Sequence, residues 1–399
     1  MLIYEYKVAG TPKQYTAIDE AIRIVQFVRN KCVRKWMDES GVSANALQCY
    51  CAVLAKTYSF ASLLNSQARQ VAADRAWSAI QRFYEQCRSA KRGKKGYPQF
   101  QHDNRSVEYK TTGWKFDPDG KHIRFTDGCS IGRLRLVGNK KQKVASFPLH
   151  QIKRVRLLKR ADGYYVQFAV KAERKVEHVS TGTQVGIDVG LKEFYTDSNG
   201  KTVANPRFLR KAEKKLKRLH RQVSRTHKKS VHHKKAQQKL GKAYLKVQRQ
   251  REDFARKTAN TLIISHDLVA FEDLKIANLV RNHHLARSIS DAAWGRFLQW
   301  VSYYGLIHGV PIVAIAPHFT SQQCSGCGKI VKKSLSERTH VCVDCGLVMD
   351  RDENAARNIL AKALQWFKEQ GCTVGQTETG ASAHVRNASG QQTTTASQR

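Results

Sequence analysis

Three acidic residues and four cysteines are the side chains through which this sequence can do chemistry. Asp188 sits inside the apolar run Val185-Gly-Ile-Asp-Val-Gly190, where an ionised carboxylate is costly unless a cation or a hydrogen-bonded role compensates it. Glu272 closes the apolar run Leu268-Val-Ala-Phe271, and Asp352 belongs to Asp350-Arg-Asp352, just ahead of a helical pattern from Ala355 to Phe367. Each acid taken alone has an ordinary explanation, Asp352 as a helix N-cap and Glu272 as a strand-end surface acid. Together they suit phosphodiester hydrolysis. In that reaction two hard divalent cations about 4 Å apart activate the attacking water and neutralise the leaving oxygen, and clustered carboxylates hold them. Two magnesium ions are the expectation. An Asp on an opening β-hairpin, a strand ending in Glu and an Asp opening the last helix is also an order that can gather three carboxylates at one edge of a sheet.

The cysteines divide into two groups. Cys324-Ser-Gly-Cys327 and Cys342-Val-Asp-Cys345 are two tight pairs separated by 14 residues, each followed by a glycine, Gly328 and Gly346. That spacing falls just under the usual four-cysteine ribbon range and predicts four thiolates on one tetrahedral zinc. Four protein ligands leave no position open for water, so the zinc would be structural. A redox pair is disfavoured by the duplication and the knuckle glycines. Cys32, Cys49, Cys51, Cys87, Cys129 and Cys372 show no framework spacing and are expected to act as small apolar residues in a reducing compartment.

These groups need a scaffold, and the chain's 399 residues, 41% hydrophobic, suffice for two or three domains with cores. Its 70 Lys and Arg against 32 Asp and Glu give a net charge of +38, which points to a polyanionic partner, with nucleic acid first among them. No apolar run of membrane-spanning length and no secretion pattern is present, so a soluble, intracellular protein is expected. Residues 2 to 8 alternate as a strand. After Gly10 and Pro12, Ile18, Ile22, Val25, Val28 and Cys32 recur at helical spacing, as do Ala72, Ala76, Ile80, Phe83 and Cys87. Arg88 to Pro98, rich in Gly, Lys and Arg, reads as a solvated hinge that also touches phosphate. From about 104 to 180 short alternating runs predict an antiparallel sheet, with a turn at Asp162-Gly163, and the strand at 2 to 8 is expected to join it. Residues 207 to 257 hold 20 Lys or Arg against three acids, net +17, along a thin apolar seam that includes Leu216, Leu219, Leu245 and Val247. Leu209, Val223 and Leu240 complete that seam, and the segment predicts a basic helical hairpin in contact with nucleic acid.

Gly186-Ile-Asp-Val-Gly190, Phe271-Glu-Asp-Leu274, Thr320-Ser-Gln-Gln-Cys324, the two cysteine pairs and Asp350-Arg-Asp-Glu-Asn-Ala-Ala356 resemble the pattern of the TnpB family, transposon-encoded proteins similar to compact type V CRISPR nucleases. The resemblance runs from the first strand to about Leu364. It implies a multidomain α+β fold: a wedge β-barrel with an inserted helical recognition domain, then an RNase H-like (RuvC) α/β nuclease domain with an inserted zinc ribbon. The boundaries expected are 1–12 for the first wedge strand, 13–90 for the helical recognition domain and 91–180 for the wedge barrel. The RuvC-like domain follows at 181–317, with the basic hairpin 207–257, the zinc ribbon at 318–349, the last RuvC part at 350–370 and a disordered tail at 371–399.

The same resemblance implies an RNA-guided, magnesium-dependent endonuclease that uses a guide RNA from the transposon end and cuts double-stranded DNA beside a short flanking motif. One protein per RNA and a cytoplasmic, nucleoid-associated location in a prokaryote go with it. Carried over by position, the three RuvC acids fall on Asp188, Glu272 and Asp352, and Asp350 is set aside because the family acid stands two residues before the asparagine, here Asn354. Two other classes of protein compete on the residues alone. One is a DNA-binding accessory of transposition with idle acids, and the other is a guide-free, structure-selective nuclease such as a junction resolvase.

Overall fold

A computed structural model describes residues 1–89, 93, 95–138, 144–334 and 337–369, together with the backbone of 386–387. The chain divides into two compact units, Met1–Glu173 and Arg174–Arg399. The first unit begins with β1 (Leu2–Ala9) and continues through helices α1 (Pro12–Asp38), α2 (Ala44–Thr57) and α3 (Ser66–Arg88). Strands β2 (Ser106–Tyr109), β3 (Trp114–Phe116), β4 (His122–Phe125), β5 (Gly132–Val137), β6 (Ile152–Arg160) and β7 (Gly163–Val170) complete it. Helix α1 starts where the sequence breaks its strand pattern. Thr11 and Gln14 form a reciprocal capping box, and Pro12 occupies the first turn, where its missing N–H costs nothing.

The apolar stripe Ile18, Ile22, Val25, Val28 and Cys32 is buried, and it shares one core with Val107, Leu134 and Phe168 of the sheet. Helices and strands of this unit are therefore one packed body. The second stripe is buried at Ala72, Ala76 and Ile80 but runs out to solvent at Cys87, which is exposed together with Cys49. Only Cys32, Cys51 and Cys129 of the scattered cysteines fill core positions; Cys372 lies outside the described residues.

The sheet order is β2-β6-β7-β1-β5-β4-β3. β1 pairs antiparallel with both β7 and β5, so the first strand joins the later sheet as expected. The expected barrel is not closed: among the described residues no pairing joins β2 to β3, and the sheet is open. Closure is not needed to protect the β2 edge, because α1 and α3 pack against that strand and Arg75 of α3 bonds Ser106 and Glu108. The hinge expectation at Arg88 to Pro98 falls partly on residues outside those described; within it, the Gly96 amide donates to Gln86.

The second unit runs β8 (Gln184–Val189), β9 (Glu193–Asp197), β10 (Thr202–Ala204), α4 (Phe208–Arg225) and α5 (Val231–Ile264). It continues with β11 (Leu268–Glu272), α6 (His283–Ala292), α7 (Trp294–His308), β12 (Ile312–Ile315), β13 (Thr339–Val341), β14 (Val348–Asp350) and α8 (Arg351–Glu369). The main sheet has the order β10-β9-β8-β11-β12, with the two-residue β15 (Arg386–Asn387) added at its edge. β10, β9 and β8 are antiparallel, whereas β8, β11 and β12 are parallel. Apart from that short β15 pairing, the expected tail at 371–399 lies outside the described residues.

Alternate residues of the parallel strands feed opposite cores, which is why these strands are apolar throughout. Val185, Ile187, Val269, Phe271, Ile312 and Ala314 pack with Ala255, Leu262 and Phe297 on the α5 and α7 side. Leu268, Ala270, Val313 and Ile315 pack with Ile359 and Ala363 of α8 on the other. The basic segment forms the hairpin α4–α5. Leu216, Leu219, Leu245 and Val247 are buried along its seam, while Lys211, Lys214, Lys215, Lys217 and Arg218 are exposed. Among the described residues no helix is long and apolar enough to cross a membrane.

Candidate active site

Register brings two of the three acids side by side. In the parallel pair β8–β11, Ala270 is level with Gly186 and Phe271 with Ile187, so the next residues, Glu272 and Asp188, leave the two strands at the same height. Both share the parity of Gly186 and Ala270 and point to the α8 face, opposite Ile187 and Phe271. Asp352 arrives from the first turn of α8. That helix comes unusually close to β8, because Gly186 has no side chain. A Cβ there would lie 2.3 Å from the Ala356 carbonyl oxygen and 2.7 Å from the Leu360 amide nitrogen. Ala356 is one helical turn after Asp352, so the glycine two residues before Asp188 sets how near the helical acid can come.

The electrostatics record this convergence. Burial first, and then the negative charges of Glu272 and Asp352, push the Asp188 carboxyl well above the usual carboxylate range, with Arg351 pulling in the opposite direction. Burial also raises Glu272, against the Thr320 hydroxyl, which donates to it, and the nearby Lys362 ammonium. Asp352 is paired with Arg351 at 3.2 Å and Arg338 at 3.6 Å. The carboxylate of Asp350 is engaged elsewhere, accepting from the amides of Asp352 at 2.8 Å and Glu353 at 3.3 Å. Asp350 is thus the acid that caps α8, so the Asp352 carboxylate, held by Arg351 and Arg338, is not spent on the helix amides.

A set of hard carboxylate oxygens, in which burial raises Asp188 and Glu272, fits hard divalent cations, whose charge would offset the repulsion that Glu272 and Asp352 exert on Asp188. The three acids are not closed into one tight ligand set. Among the described residues, the groups with ligand atoms all within 4.8 Å of one another are the four cysteines and, in the first unit, Asp117, Asp119 and His122. The latter three are tied up with Arg133 in a partly exposed ion-pair network.

The four cysteine sulfurs converge from two matching turns. Gly328 and Gly346 adopt left-handed φ values of 79° and 73°, and their amides donate to the Cys324 and Cys342 carbonyls at 2.9 Å. Cys324 and Cys345 sulfurs are 3.6 Å apart, as are those of Cys327 and Cys342. Backbone N–H groups, that of Cys345 foremost, lower the Cys342 thiol to about 7, whereas Cys345, although the Leu347 amide donates to it, is pushed up to about 12 by burial and the neighbouring sulfurs. This arrangement could hold one tetrahedral ion. Two asparagines of α8 tie the loop before the cysteines to the acids. Asn354 donates to the Gln323 carbonyl at 2.7 Å and accepts from Ser325 at 2.9 Å, and Asn358 donates to the Thr320 carbonyl at 2.8 Å.

Thr320, Lys362 and Asn358 are site residues for which the sequence alone suggested no role. The signal was there for Asn358, which lies one turn from Asn354 on the same helix face, both being polar at buried positions. Lys362 stands a further turn along that face and donates to the His318 carbonyl at 2.8 Å.

Known proteins share both the sequence and the fold. Residues 167–283 match a family described as a probable transposase, and residues 294–359 match the Cas12f1-like TNB domain. The first match contains Asp188, Glu272 and the basic hairpin, and the second contains the four cysteines and Asp352. The TnpB resemblance read from the motifs is thereby shown for this stretch of the chain. A protein of Streptomyces pristinaespiralis named "Putative RNA-guided DNA endonuclease" is 39% identical over 187 residues, covering 46% of each chain. The similarly named InsQ of Escherichia coli K12 is 29% identical over 226 residues, covering 53% of this chain and 56% of its own. The chain thus spans about half the length of these curated relatives. Among solved structures, a Cas12f1 complex with single-guide RNA and target DNA superposes with a TM-score of 0.52 at 14% identity, over 87% of this chain and 81% of that one. At that identity the likeness is one of fold, a mixed α+β, multidomain arrangement.

Proposed function

We propose that this protein is a transposon-encoded, RNA-guided DNA endonuclease that hydrolyses double-stranded DNA next to a short flanking motif, using a guide RNA from the transposon end, one protein per RNA, in the cytoplasm of a prokaryotic cell. The observation that carries the reading is the meeting of Asp188, Glu272 and Asp352 at one sheet end, in a protein otherwise so basic that acids gathered there need a cause. The second unit is read as an RNase H-like (RuvC) nuclease domain. Its antiparallel opening hairpin, two parallel strands and closing helix support that reading. The open sheet of the first unit, with its helices, takes the place of the wedge and recognition domains.

In this reading Asp188, Glu272 and Asp352 hold two magnesium ions, which when bound would activate water and offset charge on the leaving oxygen. Thr320 fixes one Glu272 oxygen by its hydroxyl. Lys362, on the same side, adds positive charge near Glu272 and helps to seat the loop through the His318 carbonyl. Arg338 and Arg351 pair with Asp352 and orient it. Cys324, Cys327, Cys342 and Cys345 hold a structural zinc, and Asn354 passes the order of that ribbon to α8. The exposed lysines of α4–α5 neutralise phosphate and leave sequence reading to base pairing.

The test is Asp188→Ala in protein purified from cells carrying its own locus. Cutting of target DNA should be lost while the RNA remains bound in stoichiometric amount. Unchanged cutting would remove the nuclease assignment to these acids. An active wild-type preparation free of RNA would instead favour a guide-free, structure-selective nuclease.

A further inference from the structure

Phe319 has a backbone conformation that its side chain disfavours. Its φ is +59°, a left-handed geometry that is cheap for glycine and unusual for a bulky residue. The ring does not offset that cost by packing, since Phe319 is 61% exposed. The surrounding bonds leave the backbone little choice. The His318 carbonyl accepts from Lys362, the Phe319 carbonyl accepts from the amides of Gln322 at 3.1 Å and Gln323 at 2.8 Å, and the Thr320 carbonyl accepts from Asn358. Thr320 is buried with its hydroxyl on Glu272. The turn therefore sends one residue inward to an acid of the candidate site and the preceding aromatic outward beside it. Strain of this kind, fixed by its neighbours and placed at a site, is an indication of use. A glycine would make the same turn without it, but would present no ring.

An exposed, flat apolar face whose two chain neighbours bond Glu272 and Lys362 is suited to a nucleobase. A phosphodiester brought to Asp188, Glu272 and Asp352 carries its own flanking nucleosides, and base–aromatic stacking tolerates any sequence, as a guided nuclease requires. We propose that Phe319 is a nucleobase-stacking residue that seats the nucleoside beside the scissile phosphate and so holds the strand in register over the acids. This rests on the nuclease reading above.

The test begins by mapping the cut positions of the wild-type, RNA-loaded protein. Phe319→Ala, Phe319→Tyr and Phe319→Gly are then compared in single-turnover cleavage of target DNA that carries either a normal base or an abasic nucleoside beside the cut. Phe319→Ala is expected to slow cleavage roughly 10- to 100-fold, the factor that one lost stacking contact implies, with RNA content and target binding unchanged. Phe319→Tyr should restore the rate. The abasic target should slow the wild type by a similar factor and Phe319→Ala no further. Phe319→Gly should cut as slowly as Phe319→Ala yet melt no lower than the wild type, because it releases the strained φ. The proposal is overturned if Phe319→Ala cuts at the wild-type rate, if the variant and abasic losses multiply, or if Phe319→Gly melts lower. A dead Asp188→Ala beside a normal Phe319→Ala would sink the stacking role alone, whereas an active Asp188→Ala would sink the nuclease reading beneath it.

Discussion

Gly186→Ala adds one methyl group and should disable cutting without touching any acid. The new Cβ would stand 2.3 Å from the Ala356 oxygen, and ordinary contact begins at 3.4 Å, so α8 must retreat by about 1.1 Å. The atoms it meets are helix backbone, 2.3 Å and 2.7 Å away, which cannot rotate aside as a side-chain end can. Asp352 rides on the first turn of that helix. A displacement of about 1 Å at a reacting centre costs on the order of 100-fold in rate, and overpacking of this kind costs about 1–3 kcal/mol in stability. The assay is single-turnover cleavage by RNA-loaded protein, with thermal unfolding recorded on the same preparation. Gly295→Ala is the control, since its Cβ would meet only the flexible Ile276 Cδ1 at 3.3 Å, and it should cut as the wild type does. A folded Gly186→Ala protein that cuts within twofold of wild type would refute the view that this close approach positions the helical acid.

Two more perturbations probe other parts of the molecule. Glu108 is buried in β2; burial would raise its carboxyl, but Arg156 and Arg75 outweigh it and hold the group below its usual range. Its contribution should be complete above the unfolded glutamate value of about 4.3 and fade as pH falls through the lower folded value. Glu108→Gln should therefore cost roughly 3 kcal/mol near neutrality, the low end for a broken buried pair because the arginines reach solvent. Its melting curve should converge with that of the wild type in acid, and a gap that stays constant down to pH 3 would contradict this. Elemental analysis should find one zinc per chain, and its removal by a chelator, or Cys345→Ser, should abolish cleavage even in excess magnesium. Full activity in zinc-free protein would show that the ribbon does not support the acids.

The elements, and the places of the three acids on them, were legible because both follow from local pattern. The buried run around Asp188, the strand ending at Glu272 and the paired cysteine turns needed only periodicity and spacing. Asp350 and Asp352 were separable only by likeness to a family, and their hydrogen bonds now supply the reason: Asp350 spends its carboxylate on helix amides. The open edge of the first sheet was not legible, since whether a short strand pairs or is covered by helices depends on packing between distant segments. Nor was the use of Thr320, whose hydroxyl acts only once β11 and the loop after β12 are side by side. The exposure of Cys87 depends on which neighbours pack against the end of the helix, which a regular stripe cannot reveal.

β1 lies fourth of seven in its sheet and pairs Leu2 with Val170. Ribosomes make β1 before its partners, so this strand has no permanent neighbours until the polypeptide has been extended past β5 and β7. Such distant pairing slows assembly, and the nascent β1 must wait with both edges unsatisfied while α1 to α3 can already coil behind it. Removing β1 would therefore split a sheet through its middle.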